Sequence, residues 1–435
     1  MKLQTILAAS SKTNGFLTIE ALIACAVLGL IIPAALSLSW STSGLLSAAG
    51  NKLATLVASS SIISDGAYQQ TIAKSLVYER EFAGNICSVT PQSGAGFTGI
   101  DVSIPPFSFL QSNSSPDNAF VVAKNGFLYE AVDSATASDP DFYIIDVRKP
   151  ESPIVVSSLN TGPGLNALVV AGHYIYAANN SSVSQLQVID IVDRIHPILV
   201  AKLKLPLPTA TSTAPNARTI TYDGGRIFLG TEKWNGSEFA VIDVLNPLSP
   251  RYVGGYDTDT LVNSIYVNKI TGDAYLADAD TQQFRVLDIH DPSRVVELNY
   301  FSPSGSDILE GKTLASYDGT STLLYLGRSG GGFNNTSQHE LYSFNISTDP
   351  ILASPVAHTD VPGGAYSISA HASYLFVATH AVTSPIQIWT SDLSRRIYSS
   401  GSILPISSLT MTTCDHGHLY AALSSTQGFG IITPH

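Results

Sequence analysis

The chain is short of charge, of cysteine and of catalytic signatures. Charged residues make up 13% of its 435 positions, and 22 Lys and Arg stand against 34 Asp and Glu, a formal net charge of −12. No general basic surface is visible, so nucleic acid is not an expected partner. The three cysteines, Cys25, Cys87 and Cys414, form no CxxC pair, which argues against a structural zinc or iron–sulfur site. GxSxG, HExxH and phosphate-loop patterns are missing as well. No enzyme activity, cofactor or metal is therefore expected. Aliphatic and aromatic residues reach 44%, so a core is easily built, and the surface must draw its polarity from Ser, Thr, Asn and Gln.

Charge is absent longest near the N-terminus. Residues 21–51 carry none, a stretch long enough to cross a bilayer of roughly 30 Å as a helix. Lys2 and Lys12 precede it, which predicts a cytoplasmic N-terminus with everything after the helix outside. One carboxylate, Glu20, interrupts the start of the run in "NGFLTIEALIAC", residues 14–25. A cleaved secretory signal would end in a small-x-small cut followed by polar sequence, but here the apolar run continues. Residues 22–25, LIAC, look like a lipobox. Glu20 would then lie inside the signal core, and residues 26–38 are apolar rather than a polar linker.

Gly15-Phe16-Leu17-Thr18-Ile19-Glu20, behind a short basic leader, resembles the prepilin leader of type IV pilins and type II secretion pseudopilins. The resemblance covers about residues 1–45. It implies cleavage by a prepilin peptidase after Gly15, methylation of the new N-terminal Phe16, and an assembly role for Glu20. The physics agrees, since a lone carboxylate and a lone amine near hydrocarbon are both costly and pairing them offsets both costs. The blander alternative is a Glu20 that snorkels to the interface. Pro33, after Gly29, should loosen the helix, although it falls earlier than the pilin pattern leads one to expect. Leu45, Leu46, Leu53, Leu56, Val57, Ile63, Ile72 and Leu76 extend an amphipathic helical pattern.

Composition changes near residue 84, and one phrase then recurs. It reads "FYIIDVRKPESPIVVSSL" (142–159), "LQVIDIVDRIHPILVAKL" (186–203), "FAVIDVLNPLSPRYVGGY" (239–256) and "FRVLDIHDPSRVVELNYF" (284–301), with weaker copies at 341–356, 386–401 and 429–435. The marker positions are Asp146, Asp190, Asp243, Asp288, Asn345, Thr390 and Thr433. A hairpin pattern precedes each, giving units of four strands and the period of a propeller blade. The repeat predicts seven blades. The last copy lacks an outer strand, and residues 106–113 align with residues 153–160, so an N-terminal strand should complete the last blade. Residues 100–102 also imitate the marker phrase, which leaves open whether they or residues 429–433 take its third-strand position. The phrase resembles the LVIVD family of β-propeller repeats over about residues 100–435. That family has no single activity, so the resemblance implies fold rather than function.

The marker aspartates repeat with the structural period, which predicts turn capping rather than catalysis. His371, His416 and His418 fall in equivalent hairpins of adjacent blades and could approach a metal, and Asp257/Asp259 and Asp278/Asp280 could hold Ca²⁺, but surface turn roles are expected for all of them. Cys87 and Cys414 are expected to form a disulfide, because closure brings the start of the propeller beside its last blade. The expected fold class is mainly β, a seven-bladed β-propeller with a long N-terminal helix: leader 1–15, transmembrane and assembly helix 16–85, propeller 86–435. The expected function is a minor or tip pilin-like subunit displaying the propeller for adhesion or binding. The alternatives are a major subunit of a decorated pilus, or an anchored propeller enzyme or scaffold outside any filament. Expected partners are prepilin peptidase, other pilin subunits, inner-membrane assembly machinery and an unknown surface ligand. Expected localisation is the inner membrane, single-pass, then the pilus or cell surface.

Overall fold

The chain divides into two compact units, residues 1–80 and 81–435. The computed structural model describes residues 100–103, 120–133, 139–210, 212–303, 309–316, 322–330, 339–347, 354–371, 373–381, 383–401, 409–415, 418–423 and 429–434. All lie in the second unit. Gly15, Phe16, Glu20 and Cys87, with the leader and the expected helix, lie outside the described residues.

The described residues form 28 strands in seven four-stranded antiparallel sheets. Six are blades of consecutive strands: blade 1 (120–159), blade 2 (165–203), blade 3 (217–256), blade 4 (262–301), blade 5 (311–359) and blade 6 (367–399). The last sheet, blade 7, is composite. Leu409–Asp415, His418–Leu423 and Phe429–Pro434 are joined by Ile100–Ser103 as the outer strand, with Asp101 opposite Thr433. The first strands of neighbouring blades touch in order round a ring, and that of blade 7 touches that of blade 1. The fold class expected from sequence, seven blades plus a long helix, is corrected accordingly. The described residues form a purely β propeller of six contiguous blades closed by one composite sheet, with no helix among them.

The localisation expected from sequence is corrected as well. Among the described residues no helix is long and apolar enough to cross a membrane. Their apolar residues are spent between blades instead. The third strands Leu186–Asp190, Phe239–Asp243 and Phe284–Asp288 each bury their first four residues. A sheet covered on both faces makes these strands read as nearly continuous apolar runs, interrupted only by the buried Gln187 and Arg285. The outer strand Val296–Phe301 instead alternates exposed and half-buried. Phe142 and Ile144 of blade 1 pack against Leu168 and Val170 of blade 2. Phe284 of blade 4 stacks on Phe344 of blade 5 with ring centroids 4.2 Å apart. Leu128 and Ile145 of blade 1 meet Tyr420 and Phe429 of blade 7.

Six of the seven marker residues are turn caps, and Thr433 instead faces His418. The carboxylate Oδ1 of Asp146, Asp190, Asp243 and Asp288 accepts from the backbone N–H two residues on, at 3.0, 2.8, 3.0 and 2.9 Å. Asn345 does the same toward Ser347 at 2.9 Å, and the Thr390 hydroxyl accepts from Arg395 N–H at 3.1 Å. A short side-chain oxygen can replace the missing backbone partner in such a turn, which is why Asp, Asn and Thr interchange here. Closure uses an N-terminal strand, and the structure separates the two readings left open above: residues 100–103 are the outer strand and residues 429–434 the third. Residues 106–113 lie outside the described residues. Blade 7 is also tied to blade 1 by Asp415, whose Oδ2 accepts from Gly126 N–H at 2.8 Å.

One loop contact requires glycine. The link into blade 6 passes through Gly363 and Gly364, at φ +87° and +81°. A Cβ on Gly364 would run into the backbone nitrogen of Gly330 in the loop of blade 5. Gly330 is constrained in return, since a Cβ there would come within 2.8 Å of the Gly363 and Gly364 backbone. Gly364→Ala should destabilise the propeller by about 2 kcal/mol or more, from left-handed strain plus the collision. Denaturant unfolding monitored by circular dichroism would read this, and an unchanged midpoint would contradict the contact.

Candidate functional site

One end of the propeller carries the loops between second and third strands and the links from each outer strand to the next blade. A recurrent hydrogen bond pins those links. In blades 1 to 5 the residue just before the third strand is a buried acid or amide, Asp141, Gln185, Glu238, Gln283 and Glu340, whereas Pro385 holds that place in blade 6. Asp141 accepts from the N–H and hydroxyl of Thr161, both at 2.8 Å. Gln185 accepts from Leu205 N–H at 2.9 Å, Glu238 from Thr258 N–H at 2.9 Å, and Glu340 from Val361 N–H at 2.8 Å. Gln283 donates to the Leu309 carbonyl at 2.5 Å. The sequence carries this signal as an acidic or amide residue ahead of the first five copies of the phrase, a signal that the phrase itself does not contain. Because it repeats with the blades, it is a structural clip. Burial pushes the Asp141 carboxyl up to about 6, against the pull of its Thr161 hydrogen bonds, and burial also raises Glu238 and Glu340.

The departures from repetition lie one step inward. In blades 2, 3, 4, 5 and 7 the first strand loses register with the second at its second residue, skipping Asn166, Arg218, Asn263, Lys312 and Thr410. Tyr366 precedes the first strand of blade 6 at the corresponding place, its N–H bonded to the Ala378 carbonyl. A bulge adds a residue that does not alternate with its neighbours and re-aims its side chain. These positions share a backbone device yet carry unlike polar residues. Asn166 and Asn263 donate to the first residue of the following blade, at Ala217 O (2.6 Å) and Gly311 O (2.7 Å). Arg218 pairs with Glu232, and Lys312 with Glu310. Tyr366 stacks on His380 with centroids 3.4 Å apart. This rim is the candidate site. The residue-by-residue reading missed it because a bulge leaves no mark in a single sequence.

The groups singled out from sequence fall elsewhere. Asp278 and Asp280 are not poised for Ca²⁺. Both bind Arg285, at 2.5 and 3.0 Å, and Glu297 takes a third position at 2.7 Å. Three acids share one guanidinium, and burial pushes Asp278 up to about 8 in spite of it. Asp257 Oδ1 accepts from Asp259 N–H, and Asp259 pairs with Lys233 at 2.6 Å. His371 is buried in blade 6, and His418 Nδ1 lies 2.9 Å from the Thr433 hydroxyl. Cys414 lies on Leu409–Asp415, opposite Leu419. Among the described residues, Asp273, Asp288 and His290 of blade 4 could present ligand atoms to a metal within 4.8 Å of one another. Asp288 and His290 already bond each other there at 2.7 Å.

Glu130 breaks the repeat in the core. It lies in the second strand of blade 1, where the matching residues of blades 2 to 7 are Ala177, Leu229, Leu276, Leu326, Val377 and Ala421. It is 1% exposed, and its Oε2 has no hydrogen-bond partner. Burial pushes its carboxyl up to about 8. A raised carboxylate pKa means the folded chain holds a proton that the unfolded chain releases, so the cost grows as pH climbs from about 4 to about 8. Glu130→Leu should therefore raise the melting temperature, by little at pH 4.5 and by the equivalent of about 4 to 5 kcal/mol at pH 8.5. A scan at both pH values reads this, and equal shifts at the two would refute the buried proton.

Residues 166–204, the whole of blade 2 apart from its first residue, match the LVIVD repeat. No curated protein sequence matches the chain. Solved structures resemble it in fold. A chain of the mitotic checkpoint complex aligns over 80% of this chain and 96% of its own, at 11% identity and TM-score 0.54. A Lactobacillus plantarum protein aligns over 67% and 88%, at 12% identity and TM-score 0.53. Chaetomium thermophilum Raptor aligns over 75% of this chain and 28% of its own, at 12% identity and TM-score 0.53. At such identities the likeness is one of fold alone, and it agrees with the strand topology: the chain carries an LVIVD repeat on a β-propeller.

Proposed function

We propose that the propeller is a binding head rather than an enzyme, and that the chain is a type IV pilin-like subunit that displays it. The observation that carries the first part is the rim of unlike polar side chains set on bulges of an otherwise repetitive scaffold. Rigid sheets hold that rim in place, which suits recognition. Its acids Glu232 and Glu310 are each tied to a cation of the same blade, an arrangement suited to hydrogen bonding more than to proton transfer. The second part rests on the leader, with Gly15 and Phe16 as the cut site for a prepilin peptidase, Phe16 as the methylated residue, and Glu20 as the assembly carboxylate that meets an N-terminal amine. A head of about 340 residues is roughly 50 Å across and would crowd a tightly stacked filament, which favours a minor or tip subunit over a major one.

A disulfide between Cys87 and Cys414 belongs to the same proposal. Cys414 is on the innermost strand of blade 7, three strand spacings or about 14 Å from the outer strand that begins at Ile100. Residues 88–99 can reach across that distance, since twelve extended residues span about 40 Å.

The mature protein should begin at Phe16, with a mass raised by one methyl group, and an intact Met1 would overturn the pilin reading. Glu20→Ala should be cleaved normally yet recovered in filaments at a small fraction of the wild-type level, and normal incorporation would remove the pairing role. Alkylation of Cys87 and Cys414 without prior reduction would exclude the disulfide.

A further inference from the structure

The rim between blades 2 and 3 is more specific than the rest. Asn166 is only 7% exposed, and its Nδ2 donates to Ala217 O, which places its amide against the residue before Arg218. Its Oδ1 has no hydrogen-bond partner, and neither has Arg218 Nε, although Arg218 pairs with Glu232 through another nitrogen. A buried amide oxygen and a buried guanidinium N–H without partners are costly. They stand at corresponding positions of adjacent blades, one an acceptor and the other a donor.

Two residues beyond Glu232 stands Trp234, half-buried in the same loop. Its indole N–H donates to the Ser237 carbonyl at 3.1 Å, and its backbone N–H donates to the clip residue Glu238 at 3.1 Å. The ring lies over Gly236, where a Cβ would collide with it. The indole is thus fixed at its edge and backed by a residue without a side chain. A fixed aromatic face is electron-rich and attracts weakly positive C–H groups.

We propose that Asn166, Arg218, Glu232 and Trp234 form a binding site for a neutral, polyhydroxylated ligand, a glycan segment. The chemistry selects this class. A hydroxyl both donates and accepts, so it is the group that serves an acceptor such as Asn166 Oδ1, a donor such as Arg218 Nε and the Glu232 carboxylate alike, and a shift of the first two side chains on binding would uncover their buried atoms. The C–H face of a sugar ring fits the flat indole. A phosphate or sulfate group would meet Glu232 and the Lys233–Asp259 pair, where each cation already has an acid. A cage for an organic cation needs several aromatic walls, and the loop supplies one. The inference deepens the binding reading above and is independent of the filament reading.

The test uses the purified full chain on an array of immobilised oligosaccharides, both neutral (galactose, mannose and N-acetylhexosamine series) and anionic (sialylated and sulfated). Retention of one or more neutral glycans is expected. Affinity should fall at least tenfold in Trp234→Ala and in Arg218→Ala, with melting temperatures kept. Gly236→Ala should weaken binding by displacing the indole without removing any contacting group. Lys202→Ala, on the outer strand of blade 2, should leave binding unchanged. Retention of anionic glycans only, of no glycan, or of neutral glycans equally by the Trp234 and Arg218 variants would overturn the proposal. None of these results bears on the mature N-terminus, so the filament reading stands or falls separately.

Discussion

Everything described here depends on a four-residue pairing. Ile100–Ser103 lies along Phe429–Pro434 and turns a row of sheets into a ring. Without it blade 7 would be a three-stranded sheet with an exposed edge, and the row would end in unpaired backbone donors and acceptors. With it, each apolar face in the ring finds a neighbour, including the seam where Leu128 and Ile145 meet Tyr420 and Phe429. The Asp415 bond to Gly126 N–H reinforces the same seam from the inner side. Contiguous blades are linked through the chain, whereas this one is held by non-covalent contacts between residues more than 300 apart.

A repetitive scaffold separates structural from functional residues by a simple test. What recurs with the period holds the blade: the turn caps from Asp146 to Thr390, and the clips from Asp141 to Glu340. What occupies a recurring backbone position with changing chemistry is free to recognise something. The bulge residues Asn166, Arg218, Asn263 and Lys312 meet that description. Glu130 meets it only in form. It is buried within blade 1, and its consequence is a pH-dependent cost to folding.

Much of the architecture was legible in the sequence because the third strand, buried on both faces, writes a nearly continuous apolar phrase closed by a capping residue. That phrase located the third strands, the turn role of the aspartates and the N-terminal closure. It did not locate the closing strand correctly among the candidates, because residues 100–103 imitate a third strand while serving as an outer one. Nor did it reveal the rim. Asn166 and Arg218 become neighbours only through the bulge and the ring, and Trp234 becomes a platform only because Gly236 lies beneath it. Asp278 and Asp280 show a different gap. A surface turn role was expected for them, with Ca²⁺ binding only a possibility, and Asp278 is instead buried, both acids pairing with the guanidinium of Arg285.

The composite sheet also has a mechanical meaning. The chain joins the ring at an outer strand, so with Cys87 and Cys414 reduced, tension arriving through the residues before Ile100 falls first on the ladder to Phe429–Pro434, whereas the disulfide proposed above would pass it to the innermost strand of the same sheet. A propeller pulled in this way yields at its seam. Its strength under tension is then set by one short ladder, whatever the thermodynamic stability of the other six blades.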